Sequence, residues 1–363
     1  MPTTGNKGEW SEIYVLLRLL SDLKLFSADE NLNKTDSFLN IISIKRNDNG
    51  EFKYFPQRGN VNVIDASTNE TIFSISTSEL SVLSKKIFNQ IKAGRGSSFS
   101  MSSSVQNDLK DLSINKLKES SNSKGDINIY LHDPSCGINT EKKFSIKSFI
   151  GSSPTLFNAN KTTNIIYEIK NSENTPLTSG LISKINSIDT NHKYIDRINA
   201  IISNDYKLKF YGYEDETFLL NLELIDSKLP EILAFAVLEK YANRISKIPE
   251  VIENLNLKNP MKYNLNLGHN FYEYRIINFL VEVSLGMTSA VVWNGVHDAT
   301  GGIIIVKDDS EVLCYHLIEF NKFKAYLKKA ARLDNPSGSR MGYGVIYKEN
   351  EKTFIKLNFQ VKA

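Results

Sequence analysis

Apolar residues recur along this chain with two different periods, and the apolar runs are short. Ile13 and Leu16 belong to a stretch with helical spacing, whereas Ile127 and Ile129 alternate with polar residues as in a strand. The longest apolar runs, such as residues 232–238, are far shorter than the ~20 residues that cross a bilayer. We therefore expect a soluble chain of mixed helices and strands that has no membrane partner.

Length, charge and cysteine content restrict the class of protein but do not identify a binding partner. At roughly 150 residues per domain, 363 residues predict either one continuous domain or two parts, which we place at residues 1–175 and 176–363. The 44 basic and 41 acidic residues give a formal charge of +3, which neither requires nor excludes nucleic acid. Cys136 and Cys314, the two cysteines, are too few for a disulfide framework or a Cys-based zinc site. This usage is consistent with a reducing cytoplasm.

The periodicity predicts a definite series of elements. A helix runs from residue 8 to about residue 24, hairpins occupy residues 38–75, and a second apolar helical stripe over residues 80–91 precedes a mobile, serine-rich loop at 97–104. Two paired strands follow at residues 127–131 and 144–150. The second half predicts helices at 181–188, 195–202, 230–241 and 272–285, a connection at 254–266, strands at 290–293, 303–306 and 312–318, a basic helix at 322–332 and a closing strand pair.

The two paired strands align polar residues that can carry chemistry. Asp126 begins the first strand, and Ser145 and Lys147 share one face of the second. An acid at the start of one strand, with a lysine two residues after a polar group on the next, resembles the core of the PD-(D/E)xK nucleases. Hydrolysis of a phosphodiester needs a hard cation, usually Mg²⁺, held by carboxylates, and an ammonium beside water and phosphate. We therefore expect Asp126, Ser145 and Lys147 to belong to a catalytic centre.

Ser145 stands where that superfamily usually has Asp or Glu, so a second carboxylate must come from elsewhere. Residues 7–12 read Lys-Gly-x-x-x-Glu, a run similar to one that opens several nucleases of this superfamily, whose first helix brings a metal-binding glutamate to the core. The similarity implies Glu12 as the second Mg²⁺ ligand, with Glu9 as its rival one helical turn away, and the main-chain carbonyl of Ile146 as a further ligand. Both glutamates could instead be first-turn acids that stabilise the helix dipole.

Longer blocks resemble one nuclease family over almost the full chain. They lie at residues 6–14, 144–164 and 292–302, and residues 335–340 agree as well. Together they resemble the HpaII family of type II restriction endonucleases. The resemblance implies an α/β fold with a PD-(D/E)xK restriction-endonuclease-like core, a central mixed sheet flanked by helices and additional DNA-recognition elements. Residues 1–175 would then hold the N-terminal helices and the catalytic core, and residues 176–363 a helical connection and the DNA-recognition part.

The same resemblance implies Mg²⁺-dependent cleavage of double-stranded DNA in a bacterial cytoplasm, at a short palindromic site for which 5′-CCGG-3′ is the family's best-known target. Reading G·C pairs requires Arg or Lys donors to guanine and acceptors for cytosine, placed on loops. We nominate Arg340, Asn294 and Asp298 as base contacts, although Arg340 could instead bind a phosphate and Asp298 could stabilise a turn. The further predicted DNA contacts lie on the same loops and on the loop after Lys147: His297, Ser337, Ser339, Asn160, Lys161 and Thr162.

Two other functions are compatible with these residues. One is a structure-selective or repair nuclease with the same core, and the other is a non-catalytic, sequence-specific DNA-binding protein, an alternative raised by Ser145. A palindromic target favours a two-fold homodimer, with a monomer that nicks twice as the other arrangement. The family also implies a cognate DNA methyltransferase as a functional partner, because an unprotected genome would be cut.

Overall fold

The computed structural model describes residues 3–118 and 125–363, which belong to two compact units. The first unit comprises Met1–Pro154, Ser284–Gly286 and His297–Tyr326, and the remaining residues form the second. The units are discontinuous in sequence because strands from residues 297–326 complete a sheet of the first unit. Their boundaries therefore differ from the predicted division at residue 175, which as a division of function stays a prediction.

The elements interleave helices and strands, as the two periods predicted. The strands are β1 (Thr4–Gly5), β2 (Lys24–Ala28), β3 (Lys34–Asn47), β4 (Glu51–Gln57), β5 (Asn60–Asp65), β6 (Thr71–Ser76), β7 (Phe99–Ser100), β8 (Ile127–Asp133), β9 (Ile138–Ser148), β10 (Thr155–Phe157), β11 (Ile165–Lys170), β12 (Lys207–Tyr213), β13 (Gly302–Val306), β14 (Val312–His316), β15 (Arg332–Asp334), β16 (Ile346–Glu349), β17 (Lys352–Leu357) and β18 (Gln360–Lys362). The α-helices are α1 (Lys7–Asp22), α2 (Thr77–Ala93), α3 (Ser103–Asp111), α4 (Ser179–Asn186), α5 (Lys193–Ser203), α6 (Glu216–Ile225), α7 (Leu229–Asn243), α8 (Ile248–Lys258), α9 (Phe271–Leu285), α10 (Phe320–Ala330) and α11 (Gly338–Met341). None of the helices in the described ranges has the length and apolar composition of a membrane span.

A mixed sheet organises the first unit. Its strand order is β2-β14-β13-β9-β8-β3-β4-β5-β6, and β2 also pairs with β3, so part of the sheet closes on itself. The β13–β9 and β14–β2 pairs are parallel, whereas β8 and β9 form an antiparallel hairpin. In that hairpin Ile127 lies opposite Phe144, so β9 extends beyond the start of β8. The residues that follow Phe144 on β9 therefore lie beside the chain that leads into β8.

Helix α1 packs against this sheet because its N-terminus and its apolar face are both fixed. Asn6 and Glu9 form a capping box, in which each side chain accepts a hydrogen bond from the other residue's backbone N–H. Trp10, Ile13 and Leu17 are fully buried in the same core as the apolar residues of β8 and β9. Burial of one such side chain contributes roughly 1.5–3 kcal/mol. The helix is therefore held by a cap and by core packing.

The second unit has two small antiparallel sheets and several helices. The strand orders are β12-β11-β17-β16 and β10-β18-β15. Phe157, Phe218 and Phe359 pack together at ring-centroid distances of 5.4–6.5 Å in its core. The loop before β11 and the turn at α11, which carry several predicted DNA contacts, both belong to this unit.

Three predictions on local structure are wrong in part, each because a tertiary contact or an apolar stripe decides the conformation. Residues 97–104 hold β7, which pairs with β1, and the start of α3 rather than a loop throughout. The predicted connection at 254–266 begins inside α8, whose Val251 and Leu255 are buried. Residues 290–293 form no strand, because the Asn221 side chain bonds the backbone of Thr288, Val291 and Trp293. The second half also contains β12 and α6, which the periodicity did not predict.

Candidate active site

Asp126 is joined to strand β9 by main-chain and side-chain hydrogen bonds. Its backbone N–H donates to the carbonyl of Phe144 at 2.8 Å. Its Oδ2 accepts from the Ile146 N–H at 2.6 Å and from the Ser145 hydroxyl at 3.2 Å. These bonds form because β8 begins only at Ile127, so no β8 residue lies opposite Ile146. The Asp126 carboxylate therefore accepts the hydrogen bond that a neighbouring strand would otherwise accept. These hydrogen bonds bring Asp126, Ser145 and Ile146 together and fix the orientation of the carboxylate.

Glu12 and Lys147 lie within the electrostatic field of Asp126. Burial, together with the neighbouring Asp126 charge, raises the pKa of Glu12 from 4.5 to about 8, although Lys118 and Arg46 oppose the rise. Burial around the Lys147 ammonium lowers its pKa, and the negative charges of Asp126 and Glu12 oppose that change. Two acids and one ammonium therefore converge from α1, β9 and the start of β8.

Glu9, the rival of Glu12, is engaged at the end of the helix. Its Oε2 accepts from the Asn6 N–H at 2.9 Å in the capping box, and its Oε1 lies 3.4 Å from the ammonium of Lys118. The half-buried Glu9 carboxylate thus satisfies the helix N-terminus and a neighbouring cation. Glu12 lies one turn further along and is the acid that Asp126 perturbs.

Residues that the sequence did not single out fix the position of α1 on β9. The Ser11 hydroxyl donates to that of Ser148 at 2.8 Å, next to Glu12 on the helix and next to Lys147 on the strand. The Lys7 side chain extends over Gly151, whose φ of +90° admits no side chain easily. The sequence gives no signal for these contacts, because each pair is more than 130 residues apart in the sequence. They form only when α1 packs on β9.

Residues 115–117 are held by a buried ion pair at the end of β3. Arg46 donates to the carbonyls of Lys116 and Leu117 at 2.5 and 3.1 Å, and Asp48 accepts from the N–H groups of Asn115 and Lys116. The Arg46 Nε lies 3.8 Å from the Asp48 carboxylate. This clamp places the positive charges of Arg46 and Lys118 in the field that Glu12 experiences.

The oxygen donors here suit a hard cation. Carboxylate and carbonyl oxygens are the ligands that Mg²⁺ and similar ions prefer. In an extended strand the N–H and C=O of one residue point to the same side, so the Ile146 carbonyl points toward the side on which its N–H meets Asp126. Within the described parts of the chain, no group of three or more His, Cys, Asp and Glu side chains could hold a metal. Any ion here would therefore need ligands besides the two carboxylates.

His297 and Asp298, two of the predicted DNA contacts, lie in the first unit. The backbone carbonyl of Asp298 is 3.4 Å from the point where a Cβ on Gly125 would lie, so Asp298 adjoins the residue before Asp126. Its N–H donates to the carbonyl of Leu285 at 3.0 Å. His297 and Asp298 are half-buried in this segment. The structure thus places Asp298 beside the candidate catalytic strand.

The remaining predicted base contacts lie on the surface of the second unit. Arg340, Ser337 and Ser339 are exposed on or next to α11, with the two serine hydroxyls 3.3 Å apart. Asn294 is exposed in the loop that Asn221 supports. Asn294 lies on a loop as predicted, whereas Ser339 and Arg340 lie on the short helix α11 rather than on a loop.

The predicted phosphate-binding loop has a defined conformation. Asn160 caps a short 3-10 helix, Lys161–Thr163, and its Oδ1 accepts from the Lys161 N–H at 2.7 Å. The Lys161 side chain is exposed, whereas the Thr162 hydroxyl donates to that of Ser289 at 2.7 Å. Lys161 is therefore the exposed cation of this group, whereas the side chains of Asn160 and Thr162 make hydrogen bonds within the protein.

Comparison with known proteins identifies the family. The family model for HpaII restriction endonuclease matches residues 6–363. The type II restriction enzyme HpaII of Haemophilus parainfluenzae is 41% identical over 360 residues, which cover 99% of this chain and 98% of that protein. No solved structure matches the chain significantly. The chain therefore belongs to the HpaII restriction endonuclease family, and it is a site-specific endonuclease that acts on DNA.

Proposed function

We propose that this enzyme hydrolyses double-stranded DNA at a short palindromic site, 5′-CCGG-3′, with Mg²⁺ at a PD-(D/E)xK-like centre. The observation that carries the catalytic part is the convergence of Asp126, Glu12 and Lys147, with Asp126 bound to Ser145 and Ile146. The target sequence rests on the family resemblance and on the relatedness over nearly the full chain.

Asp126, Glu12 and the carbonyl of Ile146 would hold the metal ion. When bound, the ion would neutralise charge on the phosphate and lower the pKa of the attacking water. Burial and the neighbouring Asp126 charge together raise the pKa of Glu12, and this supports the assignment, because two half-buried acids beside each other favour a cation between them. Glu9 is less suited, since its carboxylate already serves the helix cap and Lys118.

The chain's own groups position the water and the phosphate. The Ser145 hydroxyl and the Ile146 N–H hold Asp126 in one orientation. The Lys147 ammonium lies among the acids, where it can donate a hydrogen bond to the attacking water and offset charge on the phosphate. Ser145 would thus support the Asp126 carboxylate, while Glu12 would supply the second one.

The predicted DNA contacts would divide by role. Arg340, Asn294 and Asp298 would contact base edges, with His297, Ser337 and Ser339 beside them, while Asn160, Lys161 and Thr162 would hold the backbone of the cut strand. A homodimer would present two equivalent centres to a palindromic site. A cognate methyltransferase in the same bacterial cytoplasm would protect the host genome.

A plasmid digest tests the proposal. The protein is incubated with plasmid DNA and Mg²⁺, with EDTA as the metal-free arm. Lys147→Ala is compared with Lys142→Ala, a matched lysine on the same strand. We expect discrete fragments from the wild type and from Lys142→Ala, with CCGG at every sequenced end, and intact DNA from Lys147→Ala and with EDTA.

The other outcomes identify the alternative functions. Smears or a preference for branched DNA would indicate a structure-selective or repair nuclease. DNA that is shifted in a gel but remains intact would indicate a binding protein. Discrete fragments with a different end sequence would overturn the CCGG assignment alone.

A further inference from the structure

The second unit contains a fully satisfied network of buried polar side chains that lies next to two predicted DNA-binding segments. Asn358, between β17 and β18, is fully buried, and so is Thr163. Asn164, just before β11, is 1% exposed. The side chains of these residues are hydrogen-bonded to one another, with Asn358 Nδ2 donating to Asn164 Oδ1 at 2.6 Å and Thr163 Oγ1 donating to Asn358 Oδ1 at 2.9 Å.

One side of this network holds the loop that carries Lys161. Asn358 Nδ2 donates to the main-chain carbonyl of Asn160 at 2.8 Å. The Thr163 hydroxyl lies 2.7 Å from the same carbonyl and accepts from the Asn160 N–H at 3.1 Å. The backbone on the N-terminal side of Lys161 is thus tied to a residue nearly 200 positions away.

The other side holds the turn that carries Arg340. Asn164 Nδ2 donates to the main-chain carbonyl of Met341, the residue after Arg340, at 2.9 Å. The same amide donates to Glu214 Oε2 at 2.5 Å, and the second oxygen of Glu214 accepts from Lys356 at 2.7 Å. The turn and the loop therefore share one set of buried amide contacts.

Buried amides do little for net stability, but they specify one arrangement, because any other arrangement leaves polar groups unpaired in a medium of low dielectric constant. An apolar residue at 164 or 358 would fill the space without fixing the turn relative to the loop. The network therefore selects a single spacing between the Lys161 loop and the Arg340 turn.

We propose that Asn164 and Asn358 are positioning residues for sequence discrimination, which hold a phosphate contact at Lys161 in register with a base contact at Arg340. The inference rests on the proposed function, since it assumes that these two cations meet DNA. It assigns specificity to residues that do not touch the DNA. When the network is loosened, Arg340 can contact incorrect base pairs while Lys161 still binds the DNA backbone.

The test compares discrimination, measured as kcat/KM for a CCGG duplex divided by kcat/KM for a duplex with one base pair changed. Asn164→Ala and Asn358→Ala are the test variants, and Arg340→Ala and the Asn164→Ala/Arg340→Ala double variant complete the set. Asn259→Ala is the matched control, because its half-buried amide ties Tyr263, in a segment without predicted DNA residues. Melting temperatures are recorded for all variants, and Asn164→Ser replaces any test variant that fails to fold.

We expect discrimination to fall about tenfold in the Asn164 and Asn358 variants. This loss equals the free energy that about one hydrogen bond contributes. The control variant should keep the wild-type ratio at a similar drop in melting temperature. The double variant should discriminate no worse than Arg340→Ala, because both changes act on one contact.

Wild-type discrimination in the Asn164 variants, or a loss equal to that of the Asn259 control, would overturn the inference while leaving the proposed function intact. Fully additive losses in the double variant would also overturn it. A wild-type enzyme that cuts no specific site would overturn the proposed function itself, so the two failures are distinguishable.

Discussion

Replacement of Glu12 by glutamine should make the metal-free protein more stable at alkaline pH. The pKa of Glu12 rises from 4.5 to about 8 on folding, mainly through burial and the Asp126 charge. The folded state therefore binds this proton more tightly than the unfolded state. Its stabilising contribution is complete below pH 4.5 and is lost as the pH rises toward 8. Glutamine stays neutral throughout and avoids that loss.

The size of the effect follows from the shift. At 1.36 kcal/mol per pKa unit, the rise from 4.5 to about 8 corresponds to at most ~5 kcal/mol. The carboxyl is only partly shielded from water, so we expect the variant to exceed the wild type by about 2–4 kcal/mol at pH 9 and to match it near pH 4. Cleavage should nevertheless be lost, because the second metal-binding carboxylate is gone.

Urea unfolding in EDTA between pH 4 and pH 9 measures this difference. Glu9→Gln is the matched control, since glutamine also completes a capping box and this carboxylate faces Lys118 rather than Asp126. The control should run nearly parallel to the wild type, because the Glu9 charge is the smallest of the causes that change the pKa of Glu12. A Glu12→Gln curve that is also parallel to the wild type would show that Glu12 is not coupled to Asp126 and would refute the reasoning.

Three further substitutions separate chemistry from recognition. Lys147→Ala should slow single-turnover cleavage by about 10³-fold while gel-shift affinity in EDTA is retained; an undiminished rate would exclude Lys147 from the reaction. Arg340→Ala should reduce discrimination against single-base changes by ~1–3 kcal/mol in competition cleavage, and an equal loss on all sequences would identify a phosphate contact instead. Lys161→Ala should weaken binding to all duplexes and lower the slope of log K against log salt by about 1, a change that a residue without a phosphate contact would not produce.

The strand pair that carries the candidate catalytic residues could be predicted from the sequence because its signal is local. Ser145 and Lys147 flank an apolar residue on one strand, and Asp126 immediately precedes the strand that pairs with it. The local sequence cannot decide between Glu9 and Glu12 as the metal ligand, because both lie in the first turns of α1. Only the packing of the helix on β9 shows that one acid caps the helix and that the other is subject to the Asp126 charge.

Contacts between distant polar residues explain what the sequence did not predict. Asn221 accounts for the failed strand at 290–293, because its side chain satisfies backbone groups that a neighbouring strand would otherwise bond. Nothing in the sequence distinguishes Asn164 and Asn358 from its many other asparagines, and only the fold shows that they are buried. The discontinuous units have a similar origin, since β13 pairs with β9 across more than 150 residues.

The most direct test of the central claim is Mn²⁺ binding by the DNA-free protein, followed by electron paramagnetic resonance in the wild type, Asp126→Asn, Glu12→Gln and Glu9→Gln. Convergence of Asp126 and Glu12 on one ion predicts a single site per chain that weakens by about 10- to 100-fold in the first two variants and is retained in the third. Wild-type affinity in Glu12→Gln, or loss of the site in Glu9→Gln, would contradict the account.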